Sequence, residues 1–183
     1  MSALAKFVRA VDWLNEQVGR LAAWLTLATV LICATVVVLR YGLSEGFVWM
    51  QELYVWTGGA IFMLGAGYTL LHNGHVRVDI FYARASAKRR ALIDIFGTLV
   101  FLLPWLILVF IVAWPYVRSA WLISEASSQS DGMPGLYLFK TVLLAFCVLL
   151  GLQGLAMIGR SILVLTGRDP STPPENQGLG RQG

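Results

Sequence analysis

The sequence predicts an all-α integral membrane protein of four transmembrane helices, N-in and C-in, with an N-terminal amphipathic interfacial helix. Three observations lead there. Apolar residues make up 57% of the 183 residues and charged ones only 13%, with a mean hydropathy of +0.70, which does not describe a water-soluble core. Four stretches stay apolar over about 18 residues or more, the length that crosses about 30 Å of hydrocarbon at about 1.5 Å per residue. Finally, eleven of the fourteen Lys and Arg residues fall on one side of the topology those stretches define.

Residues 1–20 form the first element. Leu4, Phe7, Val8, Val11, Leu14 and Val18 recur at helical spacing, while Lys6, Arg9, Asp12 and Glu16 point in other directions, the pattern of a helix lying in the inner interface. The membrane domain follows over residues 21–165. Its first span, 21–39, carries no charge, and it is too long for a signal-peptide core and lacks a small-residue cleavage site, so it is retained. The second span, 53–71, is also free of charge. The third, 95–117, contains Pro104 and Pro115, and Pro104 together with Gly97 predicts a bend. The fourth, 141–158, extends to Leu165 if Arg160 snorkels to the headgroups. Ahead of the third span, Ser86 can cap a helix that begins near Ala87. Residues 166–183, with the run Gly167-Arg168-Asp169-Pro170-Ser171-Thr172-Pro173-Pro174, read as a disordered cytoplasmic tail.

Orientation rests on the basic residues. Lys6, Arg9 and Arg20 precede the first span, Arg77, Arg84, Lys88, Arg89 and Arg90 lie in the second loop, and Arg160, Arg168 and Arg181 belong to the C-terminal end. Only Arg40, Arg118 and Lys140 lie on the other side, which places both termini in the cytoplasm. The net charge of +4 is thereby explained by topology and anionic headgroups, so the lipid bilayer is the implied partner and nucleic acid is not.

Chemistry is sparse. A proton-coupled pump needs an ionisable group near the bilayer midplane, and the four spans hold none. Arg40 follows the first span, Glu52 precedes the second and Asp94 precedes the third. Glu52 is either a solvated helix-end carboxylate or the partner of Arg40 or of another protein. His72 and His75 flank Asn73-Gly74, a turn sequence with no Cys or further His nearby, so no metal or haem site is expected. Cys33 and Cys147 sit in apolar runs and read as small packing residues. No GxSxG, HExxH, Walker A or Rossmann pattern occurs, which argues against an enzyme and against a cofactor.

Packing signals are stronger. Gly58, Gly59 and Ala60 recur seven residues later as Gly65, Ala66 and Gly67, a small-residue face that admits another helix, from this chain or from a partner. Gly151 and Gly154 give the fourth span a second close-approach surface, with the polar group of Gln153 to satisfy. Tyr41, Trp49, Tyr54, Trp56, Trp114, Tyr116 and Trp121 concentrate toward the outer ends, as an interfacial belt does.

Several runs carry a family resemblance. These are Leu39-Arg40-Tyr41, Phe47-Val48-Trp49-Met50-Gln51-Glu52-Leu53, Gly65-Ala66-Gly67-Tyr68-Thr69-Leu70 and Gly74-His75-Val76-Arg77-Val78-Asp79, then Gly132-Met133-Pro134-Gly135 and Leu150-Gly151-Leu152-Gln153-Gly154. In order and spacing they resemble the small membrane subunit (DctQ-like, small permease component) of tripartite ATP-independent periplasmic (TRAP) transporters. The resemblance implies a subunit of the bacterial inner membrane that works with a large TRAP membrane subunit and a periplasmic solute-binding protein in ion-gradient-driven symport of small organic acids. It implies no substrate site in this chain, and a role in bracing the large subunit. Arg40, Glu52, His75, Arg77 and Asp79 are the positions it marks for testing, beside Gly58 and Gly65. The outer segment 118–139 either touches the binding protein or is a plain connection. The alternative is a stand-alone small exporter or the membrane anchor of a redox complex.

Overall fold

The computed structural model describes residues 3–75 and 85–166. Every regular element among them is helical: α1 (Ala3–Gly42), α2 (Val48–Leu71), α3 (Ala87–Gly97), a π-helical segment (Thr98–Leu102), α4 (Leu103–Leu122) and α5 (Leu136–Leu165). Because α3, the π segment and α4 join end to end, the described residues form four rods, each long and apolar enough to cross a membrane.

Helix boundaries differ from the hydropathy boundaries. α1 continues through residue 20 without interruption, and its 40 residues extend about 60 Å at about 1.5 Å per residue. Residues 3–20, expected as a separate interfacial element, are thus the first half of a single rod. Hydropathy falls where the chain leaves hydrocarbon, but nothing between Arg20 and Leu25 opposes helix, so the backbone does not register the change. In the same way α2 starts at Val48, after Phe47 in extended conformation, which places Glu52 inside the helix rather than ahead of it.

The third rod begins at Ala87, as expected. Ser86 occupies the N-cap position in extended conformation, but its side chain makes no capping hydrogen bond. The irregularity predicted from Pro104 is a local widening of the helix. Proline has no N–H and its ring crowds the carbonyl four residues back, here Val100. Just upstream the Leu103 N–H donates to the Thr98 carbonyl, a bond one residue longer than the α-helical one. Thr98 is buried, and its hydroxyl donates to the Asp94 carbonyl at 2.7 Å.

α5 is the central rod. It packs against α2 on one side and α4 on the other, and against α3 and the N-terminal half of α1 toward its C-terminal end, while α1 packs chiefly on α2. Leu106, Phe146, Cys147 and Leu150 form the main core, with Met63, Ala66 and Leu70 of α2 against them. A smaller cluster joins Val8 and Val11 of α1 to Ala156 of α5. The most apolar stretch of α5 is 39% buried but that of α1 only 6%, so the array is a layer wrapped around one rod and α1 offers most of its surface to its surroundings. Cys33 follows from that arrangement: it is exposed on α1, whereas Cys147 is a packing residue as expected.

Candidate partner-docking site

Glu52 anchors one end of the bundle. The Ser127 hydroxyl donates to Glu52 Oε1, and the Met133 N–H donates to Oε2 at 2.6 Å, so one carboxylate on α2 pins the loop between α4 and α5 from two points. Gly132 stands against both groups. A Cβ there would crowd Ser127 and come within 3.0 Å of Glu52. Gly135, at φ +88°, takes the left-handed conformation from which α5 departs. The Gly132-Met133-Pro134-Gly135 run is therefore the sequence of a loop that closes on Glu52. Beside it, Lys140 Nζ donates to Glu125 at 2.5 Å and lies 4.0 Å from the centre of the Tyr116 ring. The Trp121 indole N–H donates to Thr141 Oγ1 at 2.9 Å.

Hydrogen bonds to a charged group contribute about 1.5–3 kcal/mol each, less where water competes, so Glu52→Ala is expected to cost about 2 kcal/mol of stability. The measurements are thermal unfolding and protease cleavage within residues 124–131, both of which should become easier. Arg40→Ala removes an exposed side chain with no ion pair to Glu52 and should leave both unchanged.

The opposite end holds a second network. Arg160 Nη2 donates to both Asp12 oxygens, at 2.9 and 2.7 Å, and Gln153 Nε2 donates to Asp12 Oδ1 at 3.0 Å. Asn15 Nδ2 in turn donates to Gln153 Oε1 at 2.9 Å. Asn15 and Gln153 are buried, so the polar group that the fourth span had to satisfy is met by the N-terminal half of α1. The Asp12 carboxylate thus pairs with Arg160 near the C-terminal end of α5. One turn further along α1, Glu16 Oε2 lies 2.9 Å from His72 Nε2, and Arg20 Nε donates to Glu16 Oε1 at 3.1 Å. Glu16 precedes the membrane-crossing stretch, and its hydrogen bond to His72 chiefly holds its carboxyl below the usual carboxylate range.

The small-residue face of α2 divides in two. A Cβ on Gly59 would come within 2.8 Å of the Phe139 ring, and one on Gly67 would overlap Asn15 Oδ1, so these glycines let α5 and α1 approach. Among the described residues, nothing lies within 4 Å of a Cβ position on Gly58 or Gly65. On the same face Val55 is 57% exposed and Phe62 is 75% exposed. Among the glycines of α5, Gly154 receives Leu102 and Thr98, and Gly159 receives Val8 and Leu4, so that helix spends its close-approach surface within the chain.

Of the remaining expected positions, Arg40 lies exposed in the last turn of α1. His75 is exposed after α2, and Arg77 and Asp79 lie outside the described residues. The histidine that is engaged is His72, which the sequence reading did not select. Among the described residues no group of three or more His, Cys, Asp and Glu could hold a metal ion.

Four apolar rods, charged groups gathered near their ends and an open face on α2 define a multi-pass membrane subunit. The family model for tripartite ATP-independent periplasmic transporters, DctQ component, matches residues 29–163. The chain belongs to that family, the small permease component of TRAP transporters, which is a transporter component and not an enzyme. Comparison with curated proteins and with solved structures gives no match.

Proposed function

We propose that this chain is the scaffold and docking subunit of its transporter, bracing the large membrane subunit in the bacterial inner membrane. Small organic acids delivered by a periplasmic solute-binding protein are taken up through that large subunit at the expense of an ion gradient. Both termini and the loop after α2 lie in the cytoplasm, a reading supported by the distribution of Lys and Arg. The end pinned by Glu52 then faces the periplasm, where the 118–139 segment is available to the binding protein.

The observation that carries the reading is the open face of α2. Gly58 and Gly65, with Val55 and Phe62 between and beside them, present holes next to knobs at i, i+3, i+7 and i+10 spacing, and none of the described residues fills the space over the two glycines. The ionic pairs sit toward the rod ends, so substrate and coupling ions belong to the partner. Arg40, His75, Arg77 and Asp79 are further positions for contact with partners.

Leucine at both Gly58 and Gly65 tests the docking face. Overpacking a helix contact costs about 1–3 kcal/mol, so co-purification with the large subunit should fall about tenfold or more, while the thermal stability of the isolated chain stays as it was. Full recovery of the complex with both leucines in place would move the interface elsewhere. Vesicles reconstituted without this chain should lose uptake, and transport that continues undiminished would remove the claim that the subunit is obligatory.

A further inference from the structure

A groove of about 510 Å³ opens between the C-terminal end of α2, the start of α3 and the C-terminal half of α5. Its walls are of two kinds. Leu70, Met157 and Val164 are apolar, and Arg90, Asp94 and Arg160 are charged. Its depth is set by α5: the fourth apolar span, 141–158, ends two residues before Arg160, which puts Arg160 at headgroup level.

Arg160 is the key side chain. It is only 17% exposed, and it spends Nη2 alone on Asp12, leaving its Nε and Nη1 donors unengaged by the described residues. Asp12 does not line the groove. A guanidinium oriented from behind by a carboxylate, with spare donors beside a half-apolar groove, has the chemistry to hold a phosphodiester. Of the charged side chains that line the groove, Arg160 is offset from behind by Asp12, and Arg90 is accompanied by Asp94. Free phosphate, with close to two negative charges and no apolar part, matches such a groove less well than a lipid phosphodiester with one charge and acyl chains for the apolar wall.

We propose that this groove binds a phospholipid by its phosphate, with Arg160 donating the hydrogen bonds and Leu70, Met157 and Val164 lying along the acyl chains. The proposal is independent of the docking face on α2, because Gly58 and Gly65 form no part of the groove.

Two variants test it. Ala87→Trp places a large ring at the groove from an exposed position and leaves Asp12 and Arg160 in place; the exchange Asp12→Arg with Arg160→Asp keeps the pair but removes the guanidinium from the groove. The full-length chain and both variants are taken up from vesicles of phosphatidylethanolamine and phosphatidylglycerol in equal parts, and retained phospholipid is read by native mass spectrometry beside helix content by circular dichroism. The wild-type chain should retain phospholipid and each folded variant about tenfold less, a difference that a single lost charge-assisted contact provides. If the exchanged pair lowers helix content, Ala87→Trp alone decides. Equal retention in the wild-type chain and Ala87→Trp overturns the proposal, and so does release of the lipid from the wild-type chain by inorganic phosphate, which would make a free anion the ligand.

Discussion

Asp12→Ala is expected to lower the stability of the chain by about 2 kcal/mol, read as earlier thermal unfolding of the purified protein. Removing one partner of a fully buried ion pair costs about 3–5 kcal/mol, because the other charge is left uncompensated. Here the Arg160 side chain is 17% exposed and that of Asp12 is 26% exposed, so water offsets part of the loss. Gln153 adds to the cost, since its amide N–H loses its acceptor in a site that is otherwise closed. Asp12→Asn keeps an acceptor for Gln153 and should fall between alanine and wild type. Exchanging the two charges should recover part of the stability lost in Asp12→Ala. A stability of Asp12→Ala equal to wild type would mean that the network does not hold α1 to α5.

That network also shows where the sequence was readable and where it was not. The four rods were legible because hydrocarbon imposes a length and a composition that survive in a single chain. The ends of the helices were not: hydropathy reports where lipid stops, whereas the backbone stays helical until something breaks it, so α1 runs from Ala3 past Arg20 and α2 starts at Val48. Gln153 was recognisable as a polar group in need of a partner. Its partners were hidden because Asn15 and Asp12 lie 138 and 141 residues away. Periodicity assigns directions only within one helix, and a charged residue is assigned to the wet side by default. Asp12 instead turns toward Arg160, a side it can occupy because the two charges desolvate together.

The glycines of α2 make the same point from packing. Composition marks a small-residue face but not which of two adjacent glycines is used, since consecutive side chains on a helix are about 100° apart and serve different neighbours. Gly59 turns to Phe139 and Gly58 to open space. Glu52 was likewise legible as a residue with a role, but its partners came from a loop 75 and 81 residues away and not from Arg40.

Gly67→Val should be the most damaging single substitution in α2. A Cβ at that position falls on Asn15 Oδ1 and lies 3.5 Å from the Leu149 carbonyl oxygen, so it meets α1 and the backbone of α5 at once. Asn15 is 0% exposed and has no room to retreat. Among the described residues its Oδ1 is the one buried side-chain polar atom without a hydrogen-bond partner; it rests against the bare glycine instead. Displacing it would also break the Asn15–Gln153 bond and leave Gln153 Oε1 buried and unpaired. Overpacking of about 1–3 kcal/mol and an unsatisfied buried acceptor of about 1–3 kcal/mol together predict a loss of about 3 kcal/mol or more. Gly58→Val, the same exchange about two and a half turns away, meets none of the described residues and should leave the isolated chain unchanged. A double-mutant cycle locates the cause: with Asn15→Ala in place, Gly67→Ala loses its obstacle, so the pair should cost less than the sum of the single changes by about 1 kcal/mol or more. Strict additivity would place the strain against the Leu149 carbonyl and not against Asn15.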